Sequence, residues 1–201
     1  MSLLMNILKI AGMGIVLIVV TIAAGYCFLR FDMMSYTATS SETMSPAGTS
    51  AGSTLVVYDP GLSGAAKNSA VEIADDLRSK GYRVDLAGVR SGTAGNVSGY
   101  KFIAVVGPAY WDKLGSAAQS YLENLHASPE TEVGVFATGI IEPDSADPAY
   151  MREFVAHLPD DSPVKVKATT KLVTDFGGSC ANQTAGSADG QCGDFVADLL
   201  R

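Results

Sequence analysis

The residues best placed to do chemistry in this chain offer backbone groups more than side chains. Asp59-Pro60-Gly61-Leu62-Ser63-Gly64-Ala65-Ala66-Lys67 follows a β-branched run that ends in Val56-Val57-Tyr58. It opens a segment in which Ala66, Ala70, Ile73, Ala74 and Leu77 fall on one helical face. A strand that passes through a turn into a helix leaves the first N–H groups of that helix without intrahelical partners. Those amides, at the positive end of the helix dipole, favour an anionic group. The loop also lies at the carboxyl end of its strand, where open α/β sheets bind ligands.

Other chemistry is sparse. There is no CxxC or HExxH spacing for a metal and no nucleophile elbow for a Ser-His-Asp arrangement. His126 and His157 each sit near a helix end, where a surface or capping role is expected. Glu142, Asp144 and Asp147 make an acidic loop that reads as solvated. Cys180 and Cys192 share a Gly-rich segment, and a disulfide between them would restrict residues with little core of their own. Asn96-Val97-Ser98 and Asn182-Gln183-Thr184 are glycosylation-type tripeptides in expected loops.

These residues must be positioned by three parts of the chain. Residues 1–32 form an expected membrane anchor. Ile10 to Leu29 carries no charge, and its 20 residues, at about 1.5 Å per residue, reach across roughly 30 Å of hydrocarbon. It is too long for the core of a cleaved leader, and Tyr26 is the wrong size to precede a lipoprotein cysteine at Cys27. Residues 33–53 read as a flexible tether. Eleven of the twenty residues from Ser35 to Thr54 are Ser or Thr, with no apolar periodicity. A Ser/Thr-rich stretch of this kind is either a plain linker or a glycosylated stalk.

Residues 54–201 are one domain. Strand signals at 54–58, 82–86, 102–106, 132–137 and 164–173 alternate with helical stripes at 67–80, 114–125 and 148–158 and a short terminal helix at 195–200. The spacing predicts five parallel strands with helices on both faces. The chain carries a formal charge of −7, and from residue 55 onward 12 Lys and Arg face 19 Asp and Glu. No basic stripe exists for nucleic acid, and an acidic surface repels anionic lipid, so membrane association must come from the helix.

Four segments together carry a family resemblance. Residues 57–74 resemble the first loop of flavodoxins, roughly VYxSxxGNTxxIAxxIA, in register from Gly64 onward. Val105-Val106-Gly107-Pro108-Ala109-Tyr110-Trp111 looks like the family's VVGSPIYW. Val133-Gly134-Val135-Phe136-Ala137-Thr138-Gly139 is similar to its fourth strand and the loop beyond, and Phe176-Gly177-Gly178 more weakly to the loop after the fifth. The resemblance implies a flavodoxin-like, doubly wound, five-stranded parallel sheet in three α/β/α layers, preceded by one transmembrane helix.

The same resemblance implies flavin mononucleotide (FMN) as cofactor. Its phosphate would lie on Leu62, Ser63, Gly64, Ala65, Ala66 and Lys67, and its ring between Pro108, Ala109, Tyr110, Trp111 and Thr138, Gly139. Gly61 and Gly64 permit the turns that converging amides need, and Ser63 supplies a hydroxyl. Tyr110 and Trp111 could stack on a flat ring. Where the family has Asn-Thr, this chain has Ala65-Ala66, which removes two side-chain hydrogen bonds to a phosphate.

Two functions follow as expectations. One is a single-pass, membrane-anchored FMN electron carrier serving a redox protein partner. The other is a flavin-free interaction or scaffold module on a stalk. The sequons, the Ser/Thr tract and the charges flanking the anchor favour an extracytoplasmic domain.

Overall fold

The computed structural model describes residues 2–31, 33–110, 113–140, 164–174, 177–182 and 188–201. The expected helix at 148–158, His157 and the acidic loop of Glu142, Asp144 and Asp147 lie outside them.

Helix α1 spans Ser2–Phe31, and its stretch Met5–Phe28 is long and apolar enough to cross a membrane, with none of it buried against the rest of the chain. A 3₁₀ turn at Met33–Thr37 leads into strand β1, Ser41–Met44. The strands and helices that follow are β2 (Ser53–Tyr58), α2 (Ala65–Ser79), β3 (Arg83–Gly88) and the short α3 (Gly92–Gly95). Next come β4 (Phe102–Tyr110), β5 (Lys113–Leu114), α4 (Ser116–Glu123), β6 (Glu132–Gly139) and β7 (Lys165–Val173). A 3₁₀ turn at Cys180–Asn182 precedes the last helix, α5, at Ala188–Leu200.

The sheet order is β1-β3-β2-β4-β6-β7, with β5 attached to β4. The five strands expected from the sequence are present as β3-β2-β4-β6-β7 and run parallel. Alternation along each strand divides the core in two. Val56, Tyr58, Phe102, Ala104, Val106 and Phe136 pack on one face with Ile73, Leu77 and Leu199 of α2 and α5. Leu55, Val57, Ile103, Val105, Val133 and Val135 pack on the other with Ala118 and Leu122 of α4. Burial on both faces is why these strands read as nearly continuous apolar runs.

Two expectations about the edges need correction. Part of the tether is folded: Ser41–Met44 pairs antiparallel with β3, in the register Ser41 to Ala87 and Met44 to Val84. Serine and threonine give no apolar signal, and the pairing is held by the backbone ladder and by Asp85. That buried carboxylate accepts hydrogen bonds from the Thr43 hydroxyl and, at 2.8 Å, from the Tyr100 hydroxyl, with Arg83 at 3.2 Å. Upstream of β1, Ser35 and Ala38 are buried, Gly88 N–H donates to the Ser40 carbonyl and Arg90 N–H to the Ala38 carbonyl. A side chain at Gly88 would run into the Ala38 backbone, so this glycine permits the approach.

The terminal helix is also longer than the expected 195–200. Cys192, Phe195, Val196 and Leu199 are buried at i, i+3, i+4 and i+7 spacing. The stripe becomes legible once Cys192 counts as an apolar residue, despite Gly190 and Gly193. Cys180 and Cys192 are joined in a disulfide that ties the turn before α5 to the helix, with Cα atoms 6.1 Å apart. Cys27 is free and exposed.

Two predictions follow from this packing. A fragment beginning at Met33 should be soluble and folded. One beginning at Ser45 removes the Thr43 hydroxyl from the buried Asp85 and the Ala38 contact from Gly88. It should lose roughly 1–3 kcal/mol of stability by urea denaturation. Equal stability of the two would show that β1 is only apposed to the sheet.

The second concerns alkaline pH. The Tyr100 hydroxyl is pushed up to about 12 by desolvation first and then by its hydrogen bond to Asp85. Burial raises Tyr121 as well. An acid whose pKa is raised on folding holds its proton longer in the native state, so stability falls as pH climbs from about 10 towards 12. Tyr100→Phe should reduce that slope, measured as the pH dependence of Tm.

Candidate functional site

The carboxyl ends of β2, β4 and β6 lie side by side, and the site residues expected from the sequence sit there, in the loops that follow or in the first turn of α2. Trp111 is the exception, falling outside the described residues. Gly61 and Gly64 both have positive φ, 60° and 74°, and Gly64 caps α2 in the left-handed conformation with no side-chain cap. The Ser63 hydroxyl accepts the Ala65 N–H at 3.2 Å. The hydrogen-bonded turn at residues 61–63 engages the Gly64 N–H, and among the described residues no acceptor takes the N–H groups of Ala66 or Lys67. These amides stand at the positive end of the α2 dipole.

Ala65 and Ala66 are buried, so their methyl groups are covered by the protein itself. Lys67 is exposed and lies beside a cavity of about 200 Å3 lined by Ser40, Glu42, Tyr58, Val71 and Leu86. That volume is below the roughly 300–1,000 Å3 typical of cofactor-sized pockets. The Asn68 amide donates to the Gly177 carbonyl at 2.9 Å, which brings the loop after β7 against the start of α2.

On the ring side, Pro108 and Thr138 are buried neighbours in adjacent strands, and Ala109, Tyr110 and Gly139 are half-buried. Strand β4 continues through Tyr110 and turns back as β5, with Tyr110 paired to Lys113. The Tyr110 hydroxyl accepts the Leu62 N–H at 3.1 Å. A Cβ at Gly61 would lie 2.7 Å from Pro108 Cβ and 3.2 Å from the Tyr110 hydroxyl oxygen. Tyr110 and Pro108 therefore close directly over the first loop, and Leu62 is withdrawn from the set of amides available to a ligand.

Two residues that sequence reasoning passed over belong to this site. Asp59 directly follows β2 and is 1% exposed; its Oδ1 accepts the Gly61 N–H at 3.4 Å, and its Oδ2 would lie 3.2 Å from a Cβ at Gly115. An acidic residue directly between a buried strand and a glycine turn is the signal that could have found it. Lys171, buried on β7, has its Cε 3.6 Å from where a Cβ at Gly139 would stand. It places a cation behind the loop that follows β6. His126 is exposed, in agreement with a surface role.

No family model matches the sequence, and no curated protein matches it. Solved structures do. A short-chain flavodoxin associated with a non-canonical PDU bacterial microcompartment is 15% identical, with 74% of this chain and 96% of that one covered at a TM-score of 0.52. Rubredoxin oxygen:oxidoreductase from Desulfovibrio gigas is 15% identical over 76% of this chain and 36% of that one, at 0.50. A flavodoxin from Streptococcus pneumoniae TIGR4 is 19% identical over 74% of this chain and 97% of that one, at 0.48. The chain has the flavodoxin fold, with an edge strand and one apolar N-terminal helix added.

Gly61 carries the test of this loop geometry. Gly61→Ala combines a left-handed backbone with overlap on Pro108, and should destabilise the domain by roughly 1–3 kcal/mol. Gly64→Ala meets no neighbouring atom within 4 Å and should cost only the conformational part, so denaturant midpoints should rank wild type, Gly64→Ala, Gly61→Ala. The reverse order of the two variants would contradict the packing of Pro108 on the loop.

Proposed function

We propose that the protein is a membrane-anchored, FMN-binding electron carrier that exchanges electrons with a membrane-associated redox partner. The observation that carries this reading is the pair of unpartnered amides at Ala66 and Lys67, just past the Gly61–Gly64 turn, at the carboxyl edge of a flavodoxin-fold sheet. The phosphate of FMN would rest on these amides and the Ser63 hydroxyl, with its ring against Tyr110, Trp111, Thr138 and Gly139. The bound flavin would supply the redox chemistry. The chain's own contributions are the amides, the stacking surface and the buried Lys171, which favours added negative charge near Gly139. The uncharged stretch of α1 would hold the domain at the bilayer and raise its effective concentration near a partner in the same membrane. The Cys180–Cys192 disulfide and the exposed Asn96 fit an extracytoplasmic domain.

A specific observation also favours the flavin-free interaction module. Asp59 brings a carboxyl group to the loop that would receive a phosphate, and Tyr110 already occupies the Leu62 amide. Both features weaken binding, and they separate the two readings experimentally. FMN titrated into fragment 33–201 should quench Trp111, the only tryptophan, and riboflavin, which lacks the phosphate, should bind more weakly. Asp59→Asn keeps the shape and replaces the acid with a neutral amide, and should tighten FMN binding about tenfold, or about 1.4 kcal/mol. Unchanged Trp111 emission up to millimolar FMN in both proteins would reject the carrier in favour of the interaction module.

A further inference from the structure

Outside α1, the exposed large hydrophobic residues among those described are Met34, Tyr36 and Ile140, at 42%, 60% and 74% exposure. Tyr36 and Ile140 belong to one edge of the molecule. Tyr36 lies under the Arg90 guanidinium, 5.4 Å from its ring centre, and Arg90 follows the carboxyl end of β3. Ile140 follows the carboxyl end of β6. Strands β3 and β6 are three positions apart in the order β3-β2-β4-β6, which at about 4.8 Å per strand is roughly 14 Å. The apolar residues thus mark two separated points along the same edge.

The anchor joins the domain at that edge too. Strand β1 begins opposite Ala87, at the carboxyl end of β3, and Ala38 is fixed there by the Arg90 N–H. Ala38 follows Phe31, the end of α1, by seven residues, so even an extended chain separates them by at most about 25 Å. The 3₁₀ turn at Met33–Thr37, rising about 2 Å per residue, shortens this further. The opposite edge, where Glu130 precedes β6, carries no exposed large apolar residue among those described.

We infer that the carboxyl edge of the sheet, carrying the candidate site, rests on the lipid interface of the membrane that α1 spans, with Tyr36 and Ile140 in the headgroup region. This rests on the membrane-anchor part of the proposed function and adds an orientation to it. Amphipathic Tyr and apolar Ile are suited to that layer, and Arg90 can keep its charged head in water over the Tyr36 ring. Exchange at the site would then take place at the bilayer surface.

The test uses the full chain with Cys27→Ala, so that the only reactive thiol is the one introduced. Ile140→Cys, Tyr36→Cys and Glu130→Cys are each labelled with bimane and reconstituted into phosphatidylcholine vesicles containing headgroup-proximal nitroxide lipid. Quenching should be several-fold stronger at positions 140 and 36 than at 130. Flotation of the same samples separates the two readings. Protein that does not float with the vesicles removes the anchor and this orientation with it. Protein that floats, but shows position 140 quenched no more than position 130, overturns the orientation while the anchor stands. Quenching at 36 alone does the same, because Tyr36 is close to α1 in any orientation.

Discussion

Burial of β2, β4 and β6 on both faces is the constraint from which the rest of this structure follows. Leu55 to Tyr58, Phe102 to Val106 and Val133 to Ala137 leave no face of the central sheet to water. Parallel strands are joined by helices that cross over and cover both faces, so every strand-to-helix loop emerges at the same edge. That edge collects the Gly61–Gly64 turn, the Tyr110 hairpin, Gly139 and the loop at Gly177. The concentration of polar backbone at one place is a consequence of apolar packing elsewhere, and it exists whether or not a ligand uses it.

The same constraint explains how the site is filled. An amide at a helix start is satisfied by water, a ligand or a neighbouring side chain. Here the Tyr110 hydroxyl reaches Leu62 because β4 runs on past the sheet and folds back as β5. Asp59, Pro108 and Gly115 pack under the same turn, and the closeness of Pro108 is tolerated because residue 61 has no side chain. The loop is therefore a shaped and partly self-satisfied structure. Its remaining amides are available to an anion, while the carboxyl group of Asp59 opposes one. The balance between these two influences decides between the carrier and the interaction module.

At the sheet's outer edge, β1 completes the fold with almost no hydrophobic contribution of its own. Its side chains are mostly exposed, and what fixes it is the ladder to β3 and the hydroxyl of Thr43 on Asp85. A carboxylate shared by Thr43, Arg83 and Tyr100 is well satisfied, so burying it carries little penalty, and it sets the register because one residue of slip would carry Thr43 to the other face. The segment after the apolar helix is consequently docked along β3, and the domain is held at a short distance from the end of α1.

The sequence by itself determined the uncharged run Ile10–Leu29, the succession of five parallel strands and the Gly61–Gly64 turn at the head of α2. Each is written in short-range periodicity or in residue chemistry that acts within a few positions. Tertiary structure alone decided that Ser41–Met44 is a strand, that α5 begins at Ala188, that Ala65 and Ala66 face the core, and that Tyr110 and Asp59 close on the first loop. These depend on which sheet edge is free to pair, on which helical face meets the sheet, and on what stands opposite a glycine with no side chain. The physical reason is the same in every case: a polar segment or a lone carboxyl group has no local preference strong enough to declare its place, and acquires one only from partners far away in the chain.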